Sequence, residues 1–196
     1  AFFKTVGEHE VKLHQVFNGA AYDGLTLKGQ ELDTTIIVTV LDKVQASIKA
    51  NYINNDGSLG AALNMADLAQ NEVTASHSIR LSYESTGDPT AFNWSIEGGD
   101  PQTITNPAGN ADVKYKKMGT FDLRFIASRA RPSGADTIFI KDFVKVVAST
   151  DPVNLENITN MESDIAMVFS REMDPFTINK SNFSVTINAA NGAVPA

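Results

Sequence analysis

The sequence predicts an all-β chain: tandem antiparallel β-sandwiches with one short helical insertion. Three observations lead there. Segments 34–40, 78–83, 121–125, 137–147 and 183–187 are short, rich in β-branched and aromatic residues, and largely separated by Gly, Pro, Asn and Asp. Within 121–125, Phe121, Leu123 and Phe125 alternate with Asp122 and Arg124, the period-2 pattern of a strand with one buried face. Finally, Lys4, Val6, Gly7, Glu10, Val11, Lys12 and Leu13 recur 112 positions later as Lys116, Met118, Gly119, Asp122, Leu123, Arg124 and Phe125. Such self-similarity marks an array of modules.

The repeat continues beyond its first strand. Asp33-Thr-Thr-Ile-Ile-Val-Thr-Val40 answers Asp136-Thr-Ile-Phe-Ile-Lys-Asp-Phe143 at an offset of 103, which assigns nine extra residues to the first copy's hairpin. The second copy is preceded by a strand-rich stretch, whereas the first starts within three residues of position 1, so the chain is expected to open inside a module. Polar joins near Asp42-Lys43 and at Ala148-Ser-Thr-Asp-Pro-Val153 then divide it into a partial module 1–42, a complete module 43–149 and a third, incomplete module 150–196. In the central module a first strand is expected over 44–50. The helical insertion is expected near 58–70, where Leu59, Leu63, Ala66 and Leu68 approach helical spacing behind Ser58 as an N-cap. The predicted central core is Ile79, Leu81, Trp94, Ile96, Leu123, Phe125, Ile138 and Ile140.

Composition narrows the function classes. With 42% apolar residues in 196, the chain can build ordinary cores, and without cysteine it has neither disulfides nor thiolate chemistry. A formal charge of -7 argues against a nucleic-acid partner, because phosphate neutralisation needs a basic face. No stretch approaches the roughly eighteen consecutive apolar residues of a membrane-spanning helix. The three histidines, His9, His14 and His77, serve no Gly-x-Ser-x-Gly elbow and fall at no zinc-ligand spacing. No catalytic residue, metal or cofactor is therefore expected. Asn54-Asn-Asp-Gly57 has oxygen donors and a turn glycine but lacks the distal Glu of a calcium loop, and it reads as a plain turn.

Carbohydrate sites combine an aromatic face, which stacks on the apolar side of a pyranose, with amide and carboxylate partners. Two loops have that composition. Phe17, Tyr22 and Asp23 lie in the extended first hairpin, and Tyr52, Asn54 and Asn55 precede the expected helix. These six are the candidate ligand-binding residues. The bland reading of each loop is an aromatic turn.

Residues 73–147 resemble a PKD domain, a bacterial Ig-like β-sandwich. Val73-Thr-Ala-Ser-His-Ser-Ile-Arg-Leu-Ser-Tyr83 is similar to the family's second strand, and Thr86-Gly-Asp-Pro-Thr-Ala-Phe-Asn-Trp-Ser-Ile-Glu-Gly-Gly-Asp100 to its stretch leading into Trp-Asp-Phe-Gly-Asp-Gly. Tyr115-Lys-Lys-Met-Gly-Thr-Phe-Asp-Leu-Arg-Phe125 resembles its Tyr-x-x-x-Gly-x-Tyr-x-Val-x-Leu signature. Ser95, Ile96 and Glu97 depart from the family's Asp-Phe-Gly. The resemblance implies that Trp94 is the core tryptophan rather than a sugar platform. Residues 1–42 resemble the last third of the same domain. Residues 153–188 resemble a second bacterial Ig-like family with SwmB-type repeats, through an apolar strand, Phe169-Ser170, the Met173-Asp174-Pro175 turn and Asn182-Phe-Ser-Val185.

Such arrays imply a non-catalytic extracellular segment of a bacterial surface protein, typically of Bacteroidota and associated with the outer membrane. Three roles stay open: a lipoprotein that binds or captures polysaccharide or oligosaccharide together with other surface proteins of its system, a structural spacer or adhesin stalk, and an accessory module of a secreted glycoside hydrolase. Asp33-Thr34-Thr35 and Asp136-Thr137-Ile138 also resemble the O-glycosylation signal of such proteins, and read equally as strand starts.

Overall fold

A computed structural model of the chain describes residues 3–17, 21–22, 25–26, 30–105, 110–161 and 164–184. The described chain is almost entirely β. In order, the strands are β1 (Gly7–Phe17), β2 (Ala21–Tyr22), β3 (Leu25–Thr26), β4 (Gln30–Val40), β5 (Ile48–Ile53), β6 (Leu59–Ala62), β7 (Glu72–Thr74) and β8 (Ser78–Tyr83). They are followed by β9 (Ala91–Ile96), β10 (Gly99–Asp100), β11 (Thr103–Thr105), β12 (Asn110–Tyr115), β13 (Gly119–Arg129), β14 (Gly134–Val147), β15 (Leu155–Met161) and β16 (Asp164–Phe169).

Two five-stranded sheets form the centre, ordered β10-β12-β8-β5-β6 and β11-β9-β13-β14-β7. All ladders are antiparallel except β14 with β7. The sheets share one apolar core. Strand alternation supplies it: β9 buries Phe92, Trp94 and Ile96 while exposing Ala91, Asn93 and Ser95, and β13 buries Leu123, Phe125 and Ala127 completely. The register sets Trp94 opposite Phe125 and Ile96 opposite Leu123. The Trp94 and Phe125 rings stand 4.1 Å apart between centroids, and Phe92 extends the stack to Tyr83 at 3.9 Å. Six of the eight residues predicted for this core are fully buried, whereas Ile138 and Ile140 pack against it from a half-buried position.

The repeat has a structural counterpart. β1 and β13 each begin at a glycine with positive φ, +124° at Gly7 and +150° at Gly119, a conformation that suits a residue without Cβ. Each strand then runs antiparallel to the next long strand, Phe17 ending opposite Gln30 and Arg129 opposite Gly134. That pairing corrects the alignment read from sequence. Residues 18–29 separate the first pair and residues 130–133 the second, a difference of eight residues instead of nine, so Ile36 corresponds to Ile140 and not to Phe139. Sequence similarity slid by one residue where strand pairing cannot, because a one-residue slip would exchange the two faces.

The two hairpins differ in what they pack against. Leu123 and Phe125 are wholly buried, while their counterparts Val11 and Leu13 are 36% and 52% exposed on the two-stranded β1–β4 ribbon. β15 and β16 form another two-stranded ribbon with Ile158, Ile165 and Val168 exposed.

The helical insertion is not found. Over 58–70 the chain forms β6, which pairs with β5, and a single 3-10 turn at Leu68–Gln70. Ser58 caps nothing; its amide and hydroxyl both bond Asp56 Oδ1, at 2.9 and 2.6 Å. A segment this short is a marginal helix, and the open edge of β5 offers its backbone partners. Gly60 permits the approach, since a Cβ there would stand 2.9 Å from Asn54 Oδ1. Buried Asn71 organises the remainder, accepting from Asn64 N at 2.8 Å and donating to Asn64 O at 3.1 Å. The first central strand also shifts, from the expected 44–50 to Ile48–Ile53, and Val44 is buried outside any strand. Of the last expected strand, Phe183 and Ser184 are not in a strand, and 185–187 lie outside the described residues.

Truncating Trp94 to Ala is expected to cost about 3–5 kcal/mol in chemical denaturation, the range for emptying a buried large aromatic site. Tyr115→Phe should be neutral or stabilising by about 1 kcal/mol, because the Tyr115 hydroxyl is buried with no hydrogen-bond partner among the described residues. Phe3 fills the corresponding place in the first copy.

Candidate functional site

At one end of the central sandwich the two sheets part around a cleft of about 300 Å³, and Tyr52, Asn54 and Asn55 line it with Glu72, His77 and Ser78. β5 delivers Tyr52 on the inward side of its strand, two residues beyond buried Ala50, so the ring is half-buried at the rim. Desolvation raises the phenol's pKa above its ordinary value, and the Glu72 carboxylate adds to the rise. The tyrosine stays neutral, an apolar ring with one hydroxyl.

The following turn holds Asn54 in place. Its amide donates to Ser58 O at 2.9 Å, its carbonyl accepts from Gly57 N at 2.8 Å, and its side-chain Nδ2 donates to Ser58 Oγ at 2.9 Å. Asp56 is held below the usual carboxylate range by its bonds from the Ser58 hydroxyl and amide. Across the cleft Lys145 Nζ bonds Glu72 Oε1 at 2.6 Å, and His77 Nε2 lies 2.8 Å from Asp151 Oδ2. The cleft thus holds an aromatic edge, amides and hydroxyls, with its charged groups already paired. Such a set can stack on an apolar surface and exchange hydrogen bonds.

Of the six sequence candidates, three come together here. Phe17 ends β1 and Tyr22 ends β2, in the hairpin that leads to β4, but both side chains, and Asp23 entirely, lie outside the described residues. Glu72, His77 and Ser78 escaped the sequence reading because they come from β7, β8 and the turn between them, 20 to 26 residues from Tyr52. No spacing pattern announces that union. Among the described residues, no group of three His, Cys, Asp or Glu side chains is placed to hold a metal ion.

Beside this cleft the segment after β14 is tied back onto the sandwich. Glu156 binds both Lys114 and Lys116, the latter at 3.0 Å; Lys116 also reaches Asp100 at 3.1 Å. Glu172 N donates to Lys116 O at 2.9 Å, and Arg171 Nη1 to Ser149 O at 2.6 Å. The Met173-Asp174-Pro175 turn closes on itself, Asp174 Oδ1 accepting from Phe176 N at 2.9 Å. Between these ties is a second cleft of about 610 Å³, with Met118, Val153 and Met173 among its lining residues. At the opposite join, buried Arg129 donates to the carbonyls of Pro132, Gly87 and Asp42, at 2.9 Å for the first and 2.6 Å for the last. No protein-family model, curated protein or solved structure matches the chain.

The ties predict acid sensitivity. Hydrogen bonds from Lys114 and Lys116 hold Glu156 below its ordinary pKa, and the bond with His77 does the same for Asp151. A carboxylate whose folded pKa is depressed contributes stability above its unfolded value, near 4, and loses it as pH falls through the lower folded one. Melting temperature should therefore fall below about pH 4. Glu156→Gln should flatten part of that fall while costing no more than about 1 kcal/mol at neutral pH, since the pair is partly solvated.

Proposed function

We propose that this chain is a non-catalytic segment of a bacterial extracellular surface protein, built of Ig-like modules, whose central sandwich binds glycan at the Tyr52 cleft. The supporting observation is the convergence of Tyr52, Asn54 and Asn55 in one open cleft with Glu72, His77 and Ser78. An aromatic edge surrounded by amide, hydroxyl and carboxylate groups suits a pyranose, which offers an apolar face and a rim of hydroxyls. In this reading the chain belongs to an outer-membrane-associated lipoprotein that captures polysaccharide, and the modules on either side carry the binding end away from the membrane.

A second reading has its own support. The ties around Arg129 and Glu156 restrain the central sandwich against the chain on both sides, as a spacer or adhesin stalk requires. Such an element needs stiffness and no small ligand.

Affinity electrophoresis of the intact chain against plant, host and microbial polysaccharides separates the two. Retardation by one glycan class, weakened about tenfold by Tyr52→Ala with no loss of folding, is expected for the cleft. Absence of retardation by every glycan would favour the spacer.

A further inference from the structure

The outer face of the second central sheet carries an arrangement that the Tyr52 cleft does not use. Ladder registers place Thr103 opposite Ser95, Ser95 opposite Arg124, and Arg124 opposite Phe139, giving one straight row across β11, β9, β13 and β14. At the usual strand separation the row spans about 14 Å. All four side chains point away from the core, because their strand neighbours Ile96, Leu123 and Phe125 point into it and Ile104 and Ile138 pack against it. The row borders a concavity of about 480 Å³, completed by Glu97, Gln102 and Asp122.

Three features of this row point to a ligand. Phe139 is 62% exposed in the middle of a 14-residue strand, where packing asks for no aromatic ring. Arg124 beside it makes no side-chain hydrogen bond or ion pair among the described residues, although Glu97 and Asp122 share the same concavity. Those two carboxylates are instead oriented by backbone amides: Glu97 Oε2 accepts from Asp122 N at 3.1 Å, and Asp122 Oδ1 from Asp142 N at 2.8 Å. The row therefore offers a flat ring, a guanidinium with all its donors open, and fixed acceptors.

We propose that this face is a platform for a neutral oligosaccharide, lying across the strands with one pyranose stacked on Phe139. Arg124 donates to ring hydroxyls, and Glu97 and Asp122 accept from them. Among the described residues lining the concavity two carboxylates outnumber one cation, which disfavours a uronate or sulfated chain. A lone aromatic ring among polar side chains also falls short of the contiguous apolar patch of a protein interface. The proposal shares its ligand class with the reading of the Tyr52 cleft but requires nothing of that cleft.

The test is titration of the isotopically labelled chain with soluble β-glucan, xylan and galactomannan, and with polygalacturonate as an acidic comparison. Amide shifts are followed by NMR, and affinities are measured for wild type, Phe139→Ala, Arg124→Gln and Tyr52→Ala. Shifts centred on Ser95, Thr103, Arg124 and Phe139 with a neutral glycan, and an affinity loss of about tenfold in Phe139→Ala, are expected. Phe139→Tyr should retain binding. Phe139→Ala should keep the wild-type melting temperature, which separates lost contact from lost fold. Shifts and losses confined to Tyr52 and its turn would overturn the platform and leave the cleft standing. A response to polygalacturonate alone would overturn the neutral ligand class, and no response to any glycan would overturn both sites.

Discussion

The central sandwich depends on one strand. β13 is the middle of its sheet, paired to β9 on one side and β14 on the other, and its inward side chains Leu123, Phe125 and Ala127 have no exposed surface. Phe125 contacts both Trp94 and Phe92, so the aromatic stack that fills the core converges on it. Because side chains alternate strictly along a strand, burying this set forces Arg124, Ile126 and Ser128 to the other face. The core and the outer surface are thus a single constraint seen from two sides.

The same strand couples the sandwich to the chain before it. At its last residue the inward position is taken by Arg129, whose planar donors reach three backbone carbonyls, including that of Asp42. A guanidinium suits this place because several fixed N–H groups can satisfy carbonyls that the end of a sheet leaves open. At the other end of the sandwich the ties are ionic and half-exposed, centred on Glu156, Lys114 and Lys116. One join is held by the hydrogen bonds of buried Arg129 and the other by hydrogen bonds together with partly solvated charge, so salt and acid act mainly on the second.

The local patterns were legible wherever one periodicity was uncontested. Alternation in β8, β9 and β13 identifies strand and inward face together, and the recurring Lys-x-x-Gly pattern marks two strands that start alike at Gly7 and Gly119. Reading failed where the deciding partner was remote. Leu59, Leu63 and Leu68 suggested a helix, but the open edge of β5 and the side chain of Asn71 captured that segment as a strand and a polar loop. Part of the candidate site was visible as Tyr52, Asn54 and Asn55, residues close in sequence; Glu72 and His77 join them only through the packing of two sheets.

By itself, then, the sequence determined the β character, six of the buried core residues on β8, β9 and β13, and the existence of a repeated unit, since each follows from short-range alternation or from similarity along the chain. Tertiary structure decided the hairpin's true offset, the fate of 58–70, the membership of the Tyr52 cleft and the row from Thr103 to Phe139. The physical reason is that ladder register and sheet edges are set between strands. A strand's neighbour across the sheet is fixed by pairing, and side chains 29 residues apart, such as Ser95 and Arg124, become adjacent only when the ladder forms.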